Sequence, residues 1–147
     1  MLRYGVLLKG RQHVPMVEPM EHSSIARAFL VFCAVGLTPI ALGYGASPQV
    51  TMEAVFGIIV DTTNLTHILR AVMGLYLGMA AFWLIGATRP ALTGPALLGC
   101  AVFMLGLAAG RVFSFALDGL PHWLLIVYAV LEFVLGSLAV ILYSRER

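Results

Sequence analysis

Charge is scarce in this chain of 147 residues: only 11% are charged and 61% are hydrophobic, whereas a soluble domain carries about 25% charged residues. The mean hydropathy of +0.96 would leave a water-soluble chain of this length with a large exposed apolar surface. This composition excludes an ordinary soluble domain and predicts an integral membrane protein. The net charge of +2 is too small to predict a nucleic-acid partner.

Cysteine is also scarce, and its pattern excludes two kinds of site. Cys33 and Cys100 both fall inside apolar segments and show neither a disulfide framework nor metal-ligand spacing. We expect both to pack as small apolar residues. The sequence likewise shows no Cys/His metal spacing, no carboxylate dyad with a histidine and no Ser–His–Asp arrangement. We therefore predict a protein that is not an enzyme and holds no metal or cofactor.

A secretory signal is missing at the start of the chain. Residues 1–22 are polar or mixed, contain two prolines and lack an apolar core followed by a small-residue cleavage site. We interpret them as a cytoplasmic tail ahead of a membrane domain at residues 23–147. Met16 and Met20 are alternative starts within that tail.

Long apolar runs are abundant, and each is long enough for a transmembrane helix, which needs roughly 20 residues. The predicted fold is all-α, an integral membrane four-helix bundle with spans near residues 25–44, 64–86, 95–117 and 121–143. Proline and glycine separate the last three spans at Thr88-Arg89-Pro90, Gly94-Pro95 and 118–121. Pro121 suits a first helical position, and Pro39 is expected to kink the first span.

The segment between the first two spans is apolar but too short to cross a membrane. It reads MEAVFGIIV over residues 52–60 and is followed by Asp61-Thr62-Thr63, which can cap the next helix. We expect a short interfacial or re-entrant helix here. A loop packed over the bundle is the alternative.

Basic residues predict the orientation of the chain. They lie before or at the start of the first span, in the second connection and at the C-terminus: Arg3, Lys9, Arg11, Arg27, Arg89, Arg145 and Arg147. The positive-inside rule then places both termini in the cytoplasm. Aromatic residues at the span ends fit this orientation, with Trp83 and Tyr143 at the inner interface and Tyr44 and Trp123 at the outer one.

Polar residues gather in the outer half of three spans, and they form the candidate site: Asn64, His67, Arg70, Arg111, Ser114, Asp118, Tyr128 and Glu132. At a rise of about 1.5 Å per residue, Arg70, Arg111 and Tyr128 are roughly 10 Å deep and Glu132 about 16 Å deep. An arginine at the helix centre costs about 2.5–3.5 kcal/mol, so both arginines should point into the bundle. Because Glu132 is the only deep carboxylate, we predict that Arg70 and Arg111 share it.

Small residues in two spans have the spacing of close helix contacts. Gly74 and Gly78 form one GxxxG pattern, and Gly106 and Gly110 form another. We interpret both as packing surfaces within the chain.

Four sequence stretches together resemble a known family. They are ALGYGASP at the end of the first span, NLTHILRAVMGLYLG in the second, GRVFSFALDGLP at the third turn and VYAVLEFVLG in the fourth. This order resembles the small bacterial membrane proteins grouped as domain of unknown function 4345, over about residues 25 to 143. The resemblance implies a four-helix protein of the bacterial inner membrane and implies no activity. The residues before 23 look like an addition to the family's usual start.

Three functions fit these observations, and the sequence favours the first. In the first, the protein is a non-catalytic accessory or scaffold subunit whose polar cluster fixes helix packing and docks a lipid head group or a partner in a larger membrane complex. In the second, the same cluster conducts a small solute or protons. In the third, the protein is an enzyme acting on a lipid or quinone.

Overall fold

The computed structural model describes residues 24–146. Within this range the chain is all-α and has five helices: α1 (Ser24–Gly45), α2 (Pro48–Phe56), α3 (Thr63–Thr88), α4 (Pro90–Asp118) and α5 (Trp123–Arg145). Four of them, α1, α3, α4 and α5, are long and apolar enough to cross a membrane. The predicted tail at residues 1–22 lies outside the described part of the chain.

The predicted spans agree with the four long helices, but two predicted boundaries are wrong. Residues 94–95 do not interrupt the third span, because Pro90 begins α4 and Pro95 is accommodated inside that helix. Proline is tolerated at the first helical position, where its missing N–H would have no helical partner. Pro121 does not begin a helix, since α5 starts at Trp123 behind the N-cap residue His122.

The short helix α2 lies earlier in the chain than the predicted segment at residues 52–60. Pro48 starts it, and Gly57 ends it in a left-handed conformation with φ of 68°. Glycine adopts this conformation without the penalty of a Cβ atom, and the Gly57 N–H bonds to the Glu53 carbonyl at 3.0 Å. The helix is anchored by Met52, which is 3% exposed, and Phe56 packs edge-on against His122 with ring centroids 5.9 Å apart. Helix α2 therefore reaches from the end of α1 to the start of α5.

The long helices pack in the order α1, α3, α4, α5, with α1 along α3, α3 against α4 and α4 along α5. Three glycines allow the close approaches. A Cβ atom at Gly45 would lie 2.6 Å from Met73 Cβ, one at Gly86 would overlap Ala96, and one at Gly136 would lie 3.1 Å from the backbone of Leu105. These glycines, and not the two GxxxG patterns, bring the helices together.

The prediction for the GxxxG glycines is wrong. Gly74, Gly78, Gly106 and Gly110 are exposed, and a Cβ atom added at any of them would meet nothing within 4 Å. The spacing places each pair on one helix face, but that face lies on the outside of the described chain.

The end of the bundle opposite α2 is closed by polar contacts to helix carbonyls. Arg27 Nε donates to the Ala87 carbonyl at 2.6 Å, and Thr93 Oγ1 donates to the Gly86 carbonyl at 2.9 Å. A cation at the C-terminus of α3 is also favoured by the helix dipole. These bonds satisfy carbonyls in the last turn of α3, which have few partners within the helix itself.

The buried core lies between α1, α3 and α4 and contains Trp83, which the sequence places near the inner membrane interface. Its side chain is 0% exposed, and its ring centroid lies 5.7 Å from that of Phe103. Cys33 and Cys100 are buried in the same core at 2% and 0% exposed, and their thiols meet across α1 and α4.

Candidate functional site

A buried ion pair joins α4 to α5. Arg111 Nε donates to Glu132 Oε2 at 2.7 Å, and Arg111 Nη2 donates to Glu132 Oε1 at 2.8 Å. The two side chains are 18% and 11% exposed. Two parallel charge-assisted bonds fix both the distance and the orientation of the partners. The predicted contact of Arg111 with Glu132 is therefore present.

Arg70 does not share this carboxylate, so that part of the prediction is wrong. Arg70 is exposed, and among residues 24–146 no carboxylate lies within ion-pair distance of it. Its Cα lies at the level of Gly45, the last residue of α1. Helix α3 has 26 residues and is about 39 Å long, so its first two turns extend past the end of α1. Depth counted from Thr63 therefore placed Arg70 too far inside.

Three tyrosines surround the ion pair. The guanidinium carbon of Arg111 lies 5.7 Å from the centre of the Tyr128 ring, within the range of a cation–π contact. Tyr44, at the end of α1, also interacts with Arg111. The ring of Tyr76, which is 6% exposed, meets the ring of Tyr44 with centroids 5.8 Å apart.

Sequence reasoning missed Tyr44 and Tyr76 as members of this cluster. A buried tyrosine usually places its hydroxyl near a polar partner, so a tyrosine in the middle of an apolar span was a usable signal for Tyr76. The sequence predicts Tyr44 only as a residue of the outer membrane interface. Its position beside Arg111 depends on how α1 lies across α3 and α4.

Two adjoining cavities open beside this cluster. The first, which we name the lateral cleft, lies between α1 and α5 and has a volume of about 220 Å³. Its walls are almost wholly apolar and include Cys33, Gly36 and Glu132. The second, the α2 pocket, lies between α1, α2 and α5 and has a volume of about 310 Å³. Ile40 and Tyr128 line both cavities, so the two are adjacent.

The remaining predicted site residues on α3 lie apart from the ion pair. Asn64, His67 and Arg70 are exposed at the start of α3. His67 and Arg70 line a polar depression of about 360 Å³, together with residues of α2 and of the turn before α3. In it, Gln49 Nε2 donates to Thr66 Oγ1 at 3.2 Å. We name this third cavity the polar depression.

The remaining predicted residues on α4 form a local contact at the end of that helix. Ser114 Oγ donates to Asp118 Oδ2 at 2.8 Å, and Asp118 is exposed. Asp118 is thus not a partner of Arg111. The predicted single layer of polar groups divides into the ion pair, the polar depression and this local contact.

Histidine, cysteine and acidic residues do not converge on a metal site in the part of the chain that the structure describes. No group of three or more such side chains there could hold a metal ion. What the arrangement offers chemically is a self-compensated ion pair, an exposed cation and two adjacent cavities.

Comparison with known proteins gives one finding. No curated protein and no solved structure matches the chain. The family model of the domain of unknown function DUF4345 matches residues 25–143, a stretch that covers the four long helices except for Ser24 of α1 and residues 144–145 of α5. The chain therefore belongs to the DUF4345 family.

Proposed function

We propose that the protein is a non-catalytic module of the bacterial inner membrane, with both termini in the cytoplasm, which acts as an accessory or scaffold subunit. In this role the Arg111–Glu132 pair fixes the packing of α4 on α5. The polar depression docks the anionic head group of a membrane lipid. Helix α2 lies at the membrane surface between the first two spans.

The observation that carries this proposal is the self-compensation of the buried pair. Both carboxylate oxygens of Glu132 accept bonds from Arg111. Neither group is left with the unpaired charge that a proton carrier or a general acid would use. Buried ionic contacts can specify which helix faces meet even where they add little net stability.

Arg70 supports the head-group part of the proposal. Arg70 is an exposed residue of α3, and its Cα lies beside Gly45 at the end of α1. It has no ion-pair partner within residues 24–146. His67 lines the same depression. A planar guanidinium can bind two phosphate oxygens at once, and phospholipid phosphates lie at the membrane surface.

Measuring the lipid that stays bound during purification tests head-group docking at Arg70 directly. The protein would be purified gently, and its bound phospholipid would be counted by native mass spectrometry. We expect Arg70→Gln to lose a bound anionic phospholipid and Arg70→Lys to retain part of it. Arg89→Gln removes the same charge at the opposite end of α3 and serves as the control. Equal retention by Arg70→Gln and the unmodified protein would refute head-group docking.

A proton-leak assay in liposomes distinguishes a packing role of the Arg111–Glu132 pair from proton conduction. The reconstituted protein is expected to leave a proton gradient intact. A gradient that collapses with the unmodified protein, and persists with an Arg111→Met variant, would instead support a proton-conducting role for the pair.

A further inference from the structure

The lateral cleft and the α2 pocket adjoin each other at Ile40 and Tyr128, an arrangement that suits a lipid with a long chain and a compact head. The cleft runs between α1 and α5 along the middle of both helices, and its walls are apolar. The α2 pocket continues it toward the end of the bundle that α2 covers. Its volume of about 310 Å³ lies at the lower end of the range of roughly 300–1,000 Å³ for small-molecule sites.

The charge inside these cavities selects against a phosphate. Arg111 and Glu132 are bonded to each other, so their charges cancel at the cleft wall. The exposed cation Arg70 lines the polar depression and not the cleft or the α2 pocket. A phosphate head group placed here would lack the cationic donors that phosphate sites use. The occupant should carry an uncharged head.

The lining of the α2 pocket favours a flat ring with hydrogen-bond acceptors. Three aromatic side chains from three helices line it: Tyr44 from α1, Phe56 from α2 and Tyr128 from α5. Aromatic rings stack well on flat unsaturated rings. The Tyr128 hydroxyl has no hydrogen-bond partner within residues 24–146, so it is available as a donor to a carbonyl oxygen.

We infer that the cleft and pocket bind an isoprenoid quinone, with its ring in the α2 pocket against Tyr128 and its apolar chain in the lateral cleft. This inference rests on the proposed placement of the protein in a membrane but not on head-group docking at Arg70. The two sites lie on different parts of the structure and are tested by different variants.

Filling the cleft tests the inference with a matched control. Gly36 lines the cleft, and a Cβ atom there would meet nothing within 4 Å, so we expect the ring of Gly36→Phe to enter the cleft from this open position. Gly106 is equally open and lines neither cavity, so Gly106→Phe is the control. Purified proteins in phosphatidylcholine nanodiscs would be incubated with decylubiquinone and separated from free quinone. The quinone retained per chain would then be measured by absorbance after extraction.

We expect the unmodified protein and Gly106→Phe to retain the quinone, and Gly36→Phe to fall to the level of empty nanodiscs at an unchanged unfolding temperature. Tyr128→Phe keeps the ring but removes the donor, and its affinity for decylubiquinone should be about five-fold weaker, as for the loss of one neutral hydrogen bond. Equal retention by Gly36→Phe and Gly106→Phe would overturn the inference. So would a bound phospholipid, counted by native mass spectrometry, that Gly36→Phe loses and Gly106→Phe retains; a second phospholipid that depends on Arg70 would leave head-group docking standing.

Discussion

Breaking the Arg111–Glu132 pair from one side should destabilise the protein strongly. Glu132→Leu leaves a buried guanidinium without its carboxylate, and Arg111→Met strands the carboxylate while keeping most of the apolar stem. Removing one partner of a fully buried pair costs about 3–5 kcal/mol. Because the two side chains keep 18% and 11% exposure, we expect a loss near the lower limit, about 3 kcal/mol for each single variant.

The double variant separates the contact from the two side chains. With both charges removed, no charge is stranded, and replacing a buried pair by apolar residues is often neutral. We expect the double variant to lose no more than either single variant, so that its loss is at least about 3 kcal/mol smaller than the sum of the two single losses, at or above the upper end of the usual range for contacting groups.

Unfolding can be followed through the thiols of the protein itself. Cys33 and Cys100 are only 2% and 0% exposed, so a fluorogenic maleimide should react much faster with unfolded molecules than with folded ones. Titration of detergent micelles with a denaturing detergent then gives the free energy of unfolding for each variant.

Arg70→Met provides the control, since Arg70 is exposed and surface substitutions usually change stability by less than about 0.5 kcal/mol. Combined with Glu132→Leu, it should be additive. Additive losses in the Arg111→Met/Glu132→Leu variant would refute the reasoning, because the two groups would then not stabilise each other.

Three further predictions concern other parts of the fold. Gly86→Ala should lower the free energy of unfolding by about 1–3 kcal/mol through overpacking. Gly74→Ala, whose added Cβ meets open space, should leave that free energy unchanged or raise it by up to about 1 kcal/mol. A lower free energy of unfolding for Gly74→Ala would show that its helix face packs in the native protein. Thr62→Ala removes the N-cap oxygen that accepts a hydrogen bond from the Leu65 N–H at 3.2 Å. Chemical denaturation should show a free energy of unfolding lower by about 1 kcal/mol. An unchanged value would mean that solvent caps α3 equally well. A periplasm-specific reporter fused after Gln49 should be active and one fused after residue 147 silent; the reverse pattern would contradict the proposed orientation.

The number and extent of the long helices could be predicted from the sequence. Each depends on a local run of apolar residues long enough to span a membrane, so no knowledge of neighbours was needed. The exact helix boundaries could not be predicted, because proline is compatible with both a break between helices and the first turn of a helix. Pro90 begins a helix, Pro121 lies in a connection and Pro95 lies inside α4.

The ion pair could be predicted only in part. Glu132 was identified because it is the one carboxylate deep in a span, and burial of a lone carboxylate is costly. The choice between Arg70 and Arg111 depended on which helices are neighbours and on how far α3 extends past α1. Those are properties of the packed helices, and depth counted along a single helix does not contain them.

The all-α fold, the four long apolar helices and the carboxylate that needs a partner could be predicted from the sequence alone, because they follow from composition and local periodicity. Which groups meet depends on how the helices pack. The tertiary structure paired Arg111 with Glu132, brought Cys33 against Cys100 and buried Trp83. It also placed the GxxxG glycines on the outside and left a cleft between α1 and α5. Each of these outcomes depends on the rotation and offset of one helix against another, and many residues far apart in the chain fix that geometry together.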